Sequence, residues 1–143
     1  MENQKSAIGL DGNLAAALGY PIGIIALILI FIEKENKFVR FHAIQSILWG
    51  LFYAIVFSIV FVIGFVLVFG GMFAGVAANA ATGSGAGSIF GGLLSIIGWL
   101  LLLVSFLIGF GGFIAMIVAA VKSYGGARMK LPIVGRFAEK WSS

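Results

Sequence analysis

The sequence has no cysteine, one histidine, two prolines and few charges, and each scarcity closes off a class of function. Without cysteine there is no disulfide framework, thiolate metal site, iron–sulfur cluster or thiol nucleophile. The single histidine, His42, cannot build a multi-histidine metal site. Charged residues make up 10% of the chain, where a soluble domain carries about 25%. Hydrophobic residues make up 62%, and the mean hydropathy is +1.16. Such a chain cannot cover itself with polar surface, which excludes a soluble enzyme, a nucleic-acid module and a secreted scaffold. The formal charge of +4 sits beside apolar runs, so the basic residues read as topology determinants and anionic-lipid contacts rather than as a nucleic-acid surface. The composition predicts a single all-α integral membrane domain over residues 1–143, with no cofactor.

Residues 1–12 contain Glu2, Lys5 and Asp11 and little apolar content. A secretory signal needs a basic flank and a short apolar core. Here the flank is slightly acidic and the apolar run, 14–32, is long enough to cross a hydrocarbon core of about 30 Å. The expectation is an uncleaved first span, bent near its outer end by Pro21. Glu33, Lys34, Glu35, Lys37 and Arg40 follow. Five charges at a span centre cost more than about 12 kcal/mol, so this cluster lies in water or among headgroups.

A second apolar stretch covers 43–70, with Trp49 and Tyr53 at its charged end as interfacial anchors. Residues 71–88 are uncharged and rich in glycine, alanine and serine, which marks chain freedom, and 71–98 is open to lying outside the membrane, extending the helices or partly re-entering. No lysine or preceding strand accompanies these glycines, as a phosphate-cradling loop requires. A third stretch, 89–121, contains Gly109, Gly111 and Gly112 and is anchored by Lys122 and Tyr124. The piece after Gly112 is too short to cross alone, so the stretch reads as one kinked span. In the tail, Pro132 suits a first helical position. On a helix over 132–141, Val134, Phe137, Ala138 and Trp141 share one face, and Arg136, Glu139 and Lys140 the other. This is the pattern of a short amphipathic interfacial helix. Three transmembrane helices plus this interfacial helix put Lys34, Lys37 and Arg40 on the same side as Lys122, Arg128, Lys130, Arg136 and Lys140. The positive-inside rule then places the N-terminus outside and the C-terminus in the cytoplasm of a cell-membrane protein.

At 100° per residue, Glu35, Phe38, His42, Gln45, Ser46, Trp49 and Tyr53 form one polar and aromatic stripe. With Arg40 and Phe41 it makes a candidate face where the chain enters the membrane from the cytoplasm. The stripe reads either as a docking surface with His42 as a protonation switch, or as a seam hydrogen-bonded to the loop and the tail helix. Arg128, Lys130, Arg136 and Lys140 are candidate anionic-lipid contacts. Gly19 with Gly23, and Gly71 with Gly75, have small-residue spacing for close helix packing, as do Gly87 and Gly91. Ser58, Ser95 and Ser105 suit bonds to helix carbonyls. No ionisable residue lies in the centre of a span, which argues against a proton relay and against a membrane enzyme.

Two stretches resemble motifs of the Tic-twenty-like family of small prokaryotic membrane proteins. One is the charged loop from Glu33 with Phe38-Val39-Arg40-Phe41-His42-Ala43 and Gln45. The other is Leu131-Pro132-Ile133-Val134-Gly135 with Ala138-Glu139-Lys140. The resemblance implies a non-enzymatic subunit connected with polypeptide or solute passage. The alternatives are an accessory subunit packed against a larger membrane complex and an anionic-lipid-binding organiser. All three expect the bilayer, other membrane subunits or further copies as partners, and no nucleic acid.

Overall fold

The computed structural model describes residues 4–142, so Glu2 lies outside the described residues. The fold is all-α: α1 (Gly12–Leu18), α2 (Gly23–Ile32), α3 (Lys37–Thr82), α4 (Ala86–Tyr124) and α5 (Val134–Trp141). Among the described residues, α3 and α4 are long and apolar enough to cross a membrane, and α2 is a shorter apolar helix. The chain divides into two compact units, one of Met1–Tyr53 with Gly112–Ser143 and one of Ala54–Gly111.

In the first unit the apolar run 14–32 is two helices rather than one. Asp11 caps α1 by accepting the Asn13 N–H at 2.9 Å. The helix stops at Gly19 because Pro21 lacks an N–H and disfavours helical backbone at Tyr20. The chain turns through Tyr20 to Ile22 and restarts as α2, which ends when Glu33 goes extended. Ala15, Ala26, Leu29, Val39 and Ala43 form a core among α1, α2 and the start of α3.

Asn36 begins α3: its side-chain oxygen accepts the Phe38 and Val39 N–H groups at 3.1 and 3.2 Å. The same side chain donates to the Gln4 carbonyl at 3.0 Å. The buried Glu33 accepts from the Ala7 N–H at 2.6 Å and the Asn36 N–H at 3.2 Å. The segment before α1 is therefore bonded to the loop after α2.

At the other end of this unit, α4 closes with paired bonds, Ala127 N–H to Lys122 and Gly126 N–H to Ser123, both 2.9 Å. This six-to-one cap needs a left-handed residue, and Gly126 supplies it at φ +77°. Pro132 lies ahead of α5 instead of in its first position. Between them Ile133 adopts φ 66°, ψ −63°, a strained γ-turn closed by Val134 N–H to Pro132 O at 2.8 Å.

The second unit is a helical hairpin of the rest of α3 and α4. Of the arrangements open to 71–98, the structure has helix extension: α3 stays helical to Thr82 and the chain turns only at residues 83–85. The arms meet on glycine: Gly71 and Gly75 of α3 face Gly91 and Gly87 of α4, so closely that a Cβ at Gly75 would lie 2.8 Å from the Gly87 carbonyl. Across the arms, Ser95 Oγ donates to the Val68 carbonyl at 3.0 Å, and Asn79 bonds Ser88 near the turn. The outward faces are apolar and exposed, Phe73 at 75% for example.

Candidate functional site: a buried latch at the chain ends

The stripe on α3 closes a knot inside the first unit. Gln45, fully buried, donates through Nε2 to Tyr20 Oη at 2.7 Å and to the Met129 carbonyl at 3.0 Å. Its Oε1 accepts the Leu131 N–H at 3.1 Å. One amide thus satisfies groups from the α1–α2 turn and from a tail segment 84 to 86 residues away. Because Gln45 donates to Tyr20, the tyrosine hydroxyl is left to donate to His42 Nδ1, 2.9 Å away. With Tyr20 as the donor, neutral His42 carries its proton on Nε2.

His42 is fully buried, edge-on to Phe38 at 4.6 Å and to Phe41 at 5.0 Å between ring centroids. It lies two residues after Arg40 and seven before Trp49, in the part of α3 ahead of the apolar stretch. Burial and the Arg128 guanidinium push its pKa down to about 4. The Ala127 backbone opposes this weakly, since Nε2 has no partner in hydrogen-bond geometry. The Arg128 guanidinium sits 5.5 Å above the Phe41 ring. Phe41 packs with Ile44 and Ala138, which seats α5. Trp49 donates from its indole to the Gly112 carbonyl at 3.3 Å. Gly112 has no side chain, which lets the Tyr53 ring lie against its backbone.

The structure brings together Phe38, Phe41, His42, Gln45 and Trp49. Glu35 precedes α3 and lines an open cavity of about 650 Å³ with Lys5 and Lys34, so it does not join the helical stripe. Ser46 turns back to the Ala43 carbonyl at 3.0 Å. Among the tail cations, Lys130 pairs with Glu139 at 2.8 Å, while Arg128, Arg136 and Lys140 are exposed. Gly19 packs on Ala26 across the α1–α2 turn, but Gly23 has no neighbour within 4 Å; the pair straddles a turn instead of sharing a helix face. Tyr20 and Asn36 are the residues the sequence reading passed over, and Glu33, expected in water or among headgroups, is buried. The available signal was a tyrosine next to proline inside an apolar run, since a buried phenol needs a partner.

A sequence profile of the magnetosome magnetite crystal formation protein family, MamF/MmsF, matches residues 4–138. Two UPF0132 membrane proteins of Methanocaldococcus jannaschii are similar. One is 35% identical over 96% of this chain and 94% of its own length; the other is 31% identical over 94% and 73%. A UPF0132 membrane protein of Archaeoglobus fulgidus is 30% identical over 90% and 92%. No solved structure matches the chain. These matches overturn the resemblance to the Tic-twenty-like family, and the implied link to polypeptide or solute passage goes with it. The two motifs misled for a physical reason. Basic and aromatic residues ahead of an apolar helix suit any chain that enters a bilayer from its headgroups, so they carry little family information. The relatives are named as membrane proteins, and this chain is a multi-pass helical membrane protein.

Proposed function

Because the chain belongs to the magnetosome magnetite crystal formation protein family, we propose that it is a membrane-embedded scaffold, and that the scaffold rather than iron chemistry is its activity. The carboxylates of the latch region are already engaged: Glu33 holds Ala7 and Asn36, and Glu139 pairs with Lys130. Among the described residues no three His, Cys, Asp or Glu side chains gather to hold a metal.

One observation carries the membrane arrangement of this reading. Residues 4–7 are hydrogen-bonded to Glu33 and Asn36, so the run 14–32 returns to the face from which it started. In this arrangement α1 and α2 dip into the bilayer and come back, and only α3 and α4 cross it, within about Trp49–Gly70 and Trp99–Val121. All nine basic residues then lie on one face, because none occurs between Phe41 and Val121. The uncharged turn at 83–85 lies on the other. This asymmetry satisfies the positive-inside rule with both ends cytoplasmic, and it includes Lys5, which three crossings would leave outside. Exposed Arg136 and Lys140 add attraction to anionic headgroups, about 1 kcal/mol for each basic residue near the surface. Gly70 and Gly92 have nothing within 4 Å, and there the backbone of a neighbouring copy has room to pack.

The cysteine-free chain makes the test direct. Single cysteines at Ile8, Glu35, Ser84 and Lys140 are labelled with an impermeant maleimide in intact cells and in inverted vesicles. Two crossings require Ile8, Glu35 and Lys140 to label from the cytoplasmic side and Ser84 from the other. Labelling of Ile8 together with Ser84 would restore three crossings and overturn the arrangement. The particle mass in mild detergent tests self-association: a monomer with no partner would remove that part.

A further inference from the structure

The open cavity of about 650 Å³ in the first unit takes no part in the latch, and its lining is chemically mixed. Two short segments build it, 4–7 ahead of α1 and 32–36 after α2 begins to end. Buried side chains brace them: Glu33 accepts the Ala7 N–H at 2.6 Å, and Asn36 donates to the Gln4 carbonyl at 3.0 Å. Glu33 is occupied by that bond and by the Asn36 N–H. Lys5, Lys34 and Glu35 line the same cavity, and all three are exposed with no ion pair among the described residues. The braced frame therefore offers two cations and one carboxylate. Ile32 lines the cavity too, and an apolar stripe leads away from it. Ile24, Leu27, Ile28, Phe31 and Ile32 recur at helical spacing on one face of α2, all exposed, Phe31 at 72%. Its 10 residues make α2 about 15 Å long, the depth of one leaflet in a hydrocarbon core of about 30 Å.

We propose that the cavity and this face of α2 together bind one phospholipid whose headgroup carries both a phosphodiester and a primary ammonium, as in phosphatidylethanolamine. Lys5 and Lys34 meet the phosphate, and Glu35 accepts from the ammonium through a charge-assisted hydrogen bond. The negative end of the α2 macrodipole, at Ile32, favours the same cationic group. The acyl chains lie along the stripe. The polar cavity alone would suit any small zwitterion; the adjoining apolar stripe of leaflet length selects an amphiphile. The volume falls within the range of small-molecule sites, roughly 300–1,000 Å³. A headgroup without a cation leaves Glu35 unpaired beside the phosphate, and a quaternary ammonium has no N–H to donate to it. The site lies wholly in the first unit and does not depend on how many helices cross the membrane.

The test uses the full chain in mild detergent. Phosphatidylethanolamine, phosphatidylcholine and phosphatidylglycerol of the same acyl chains are the probes, and native mass spectrometry counts their adducts. Phosphatidylethanolamine should bind about fivefold tighter than the other two, the size of one good charged pair near a surface. E35Q should bring it within about twofold of phosphatidylcholine. K5Q and K34Q should each weaken it about threefold to fivefold, while K140Q on α5 leaves it unchanged. F31Q, in the stripe, should weaken all three lipids several-fold. These side chains are exposed, so the substitutions spare the core, and circular dichroism checks that helix content is kept. Glycerophosphoethanolamine, the same headgroup without acyl chains, should compete only at far higher concentration. Equal affinity for the three lipids, a preference that survives E35Q, or equal losses in K34Q and K140Q would overturn the site. Competition by glycerophosphoethanolamine at the concentration of the lipid would show a site for a soluble zwitterion and overturn the lipid assignment.

Discussion

Replacing Gln45 by leucine tests whether the latch holds the tail. The substitution keeps the side chain near its original volume and removes three hydrogen bonds, to Tyr20, Met129 and Leu131. Tyr20 retains His42 as its acceptor, so it is not stranded. The Leu131 N–H is stranded at a residue only 2% exposed, and the half-buried Met129 carbonyl loses its partner. A buried group left unsatisfied costs about 1–3 kcal/mol. With water partly rescuing Met129, the expected cost is about 3 kcal/mol, or roughly a hundredfold in the opening equilibrium of the tail. Hydrogen exchange in detergent micelles reads this locally: Leu131 and the α5 amides should exchange about a hundredfold faster, while those of 54–111 stay unchanged. Q45M separates volume from bonding and should behave like Q45L. Tail exchange within threefold of wild type in both variants would show that Phe41, Ile44 and Ala138 seat α5 without the amide, and the latch argument would fail.

Three further outcomes follow from the same geometry. The His42 pKa is lowered to about 4 on folding, so the unfolded chain takes up a proton first; stability is whole above about pH 6.5 and falls as the pH drops toward 4, by up to about 3 kcal/mol. Comparing thermal midpoints at pH 7.5 and 4.5 should show a smaller acid loss in H42N, which keeps an acceptor for Tyr20 but does not titrate, and equal losses would refute the assignment. In the hairpin, G91L should destabilise by about 2 kcal/mol or more because the facing Gly71 and Gly75 backbone leaves no room, whereas G111L, with open space on the same helix, should be near neutral in the same unfolding assay. Gly126→Ala should cost about 1 kcal/mol through its left-handed backbone, seen as earlier melting with helix content unchanged.

The residues themselves show why some of this was legible and some was not. Transfer free energy is nearly additive along a chain, so the scarcity of charge and the apolar runs decided the membrane class without any structure. The amphipathic tail was legible for the same reason: Val134, Ala138 and Arg136 sort onto helix faces by local spacing alone. Additivity also explains why 14–32 reads as one unbroken helix in sequence. A continuous helix and two helices broken at Pro21 have the same summed hydropathy. What separates them is the bonding of Gln4 and Ala7 to Asn36 and Glu33, pairs 26 to 32 residues apart. The glycine-rich stretch 71–88 could not be resolved from sequence. Weak local propensity marked chain freedom and left helix extension open; the close contact of Gly71 and Gly75 with Gly91 and Gly87 goes with a helical backbone there.

The sequence alone determined that this protein lives in a bilayer, that its charges gather at its two ends, and that its middle is helical. The tertiary structure decided which ends meet. Gln45 was visible as one polar residue on a stripe; that it would join Tyr20 to Met129 and Leu131 depended on where a broken helix and a strained turn at Ile133 brought the backbone. A hydrogen bond forms only with a partner in reach, and reach across more than 80 residues is a property of the fold.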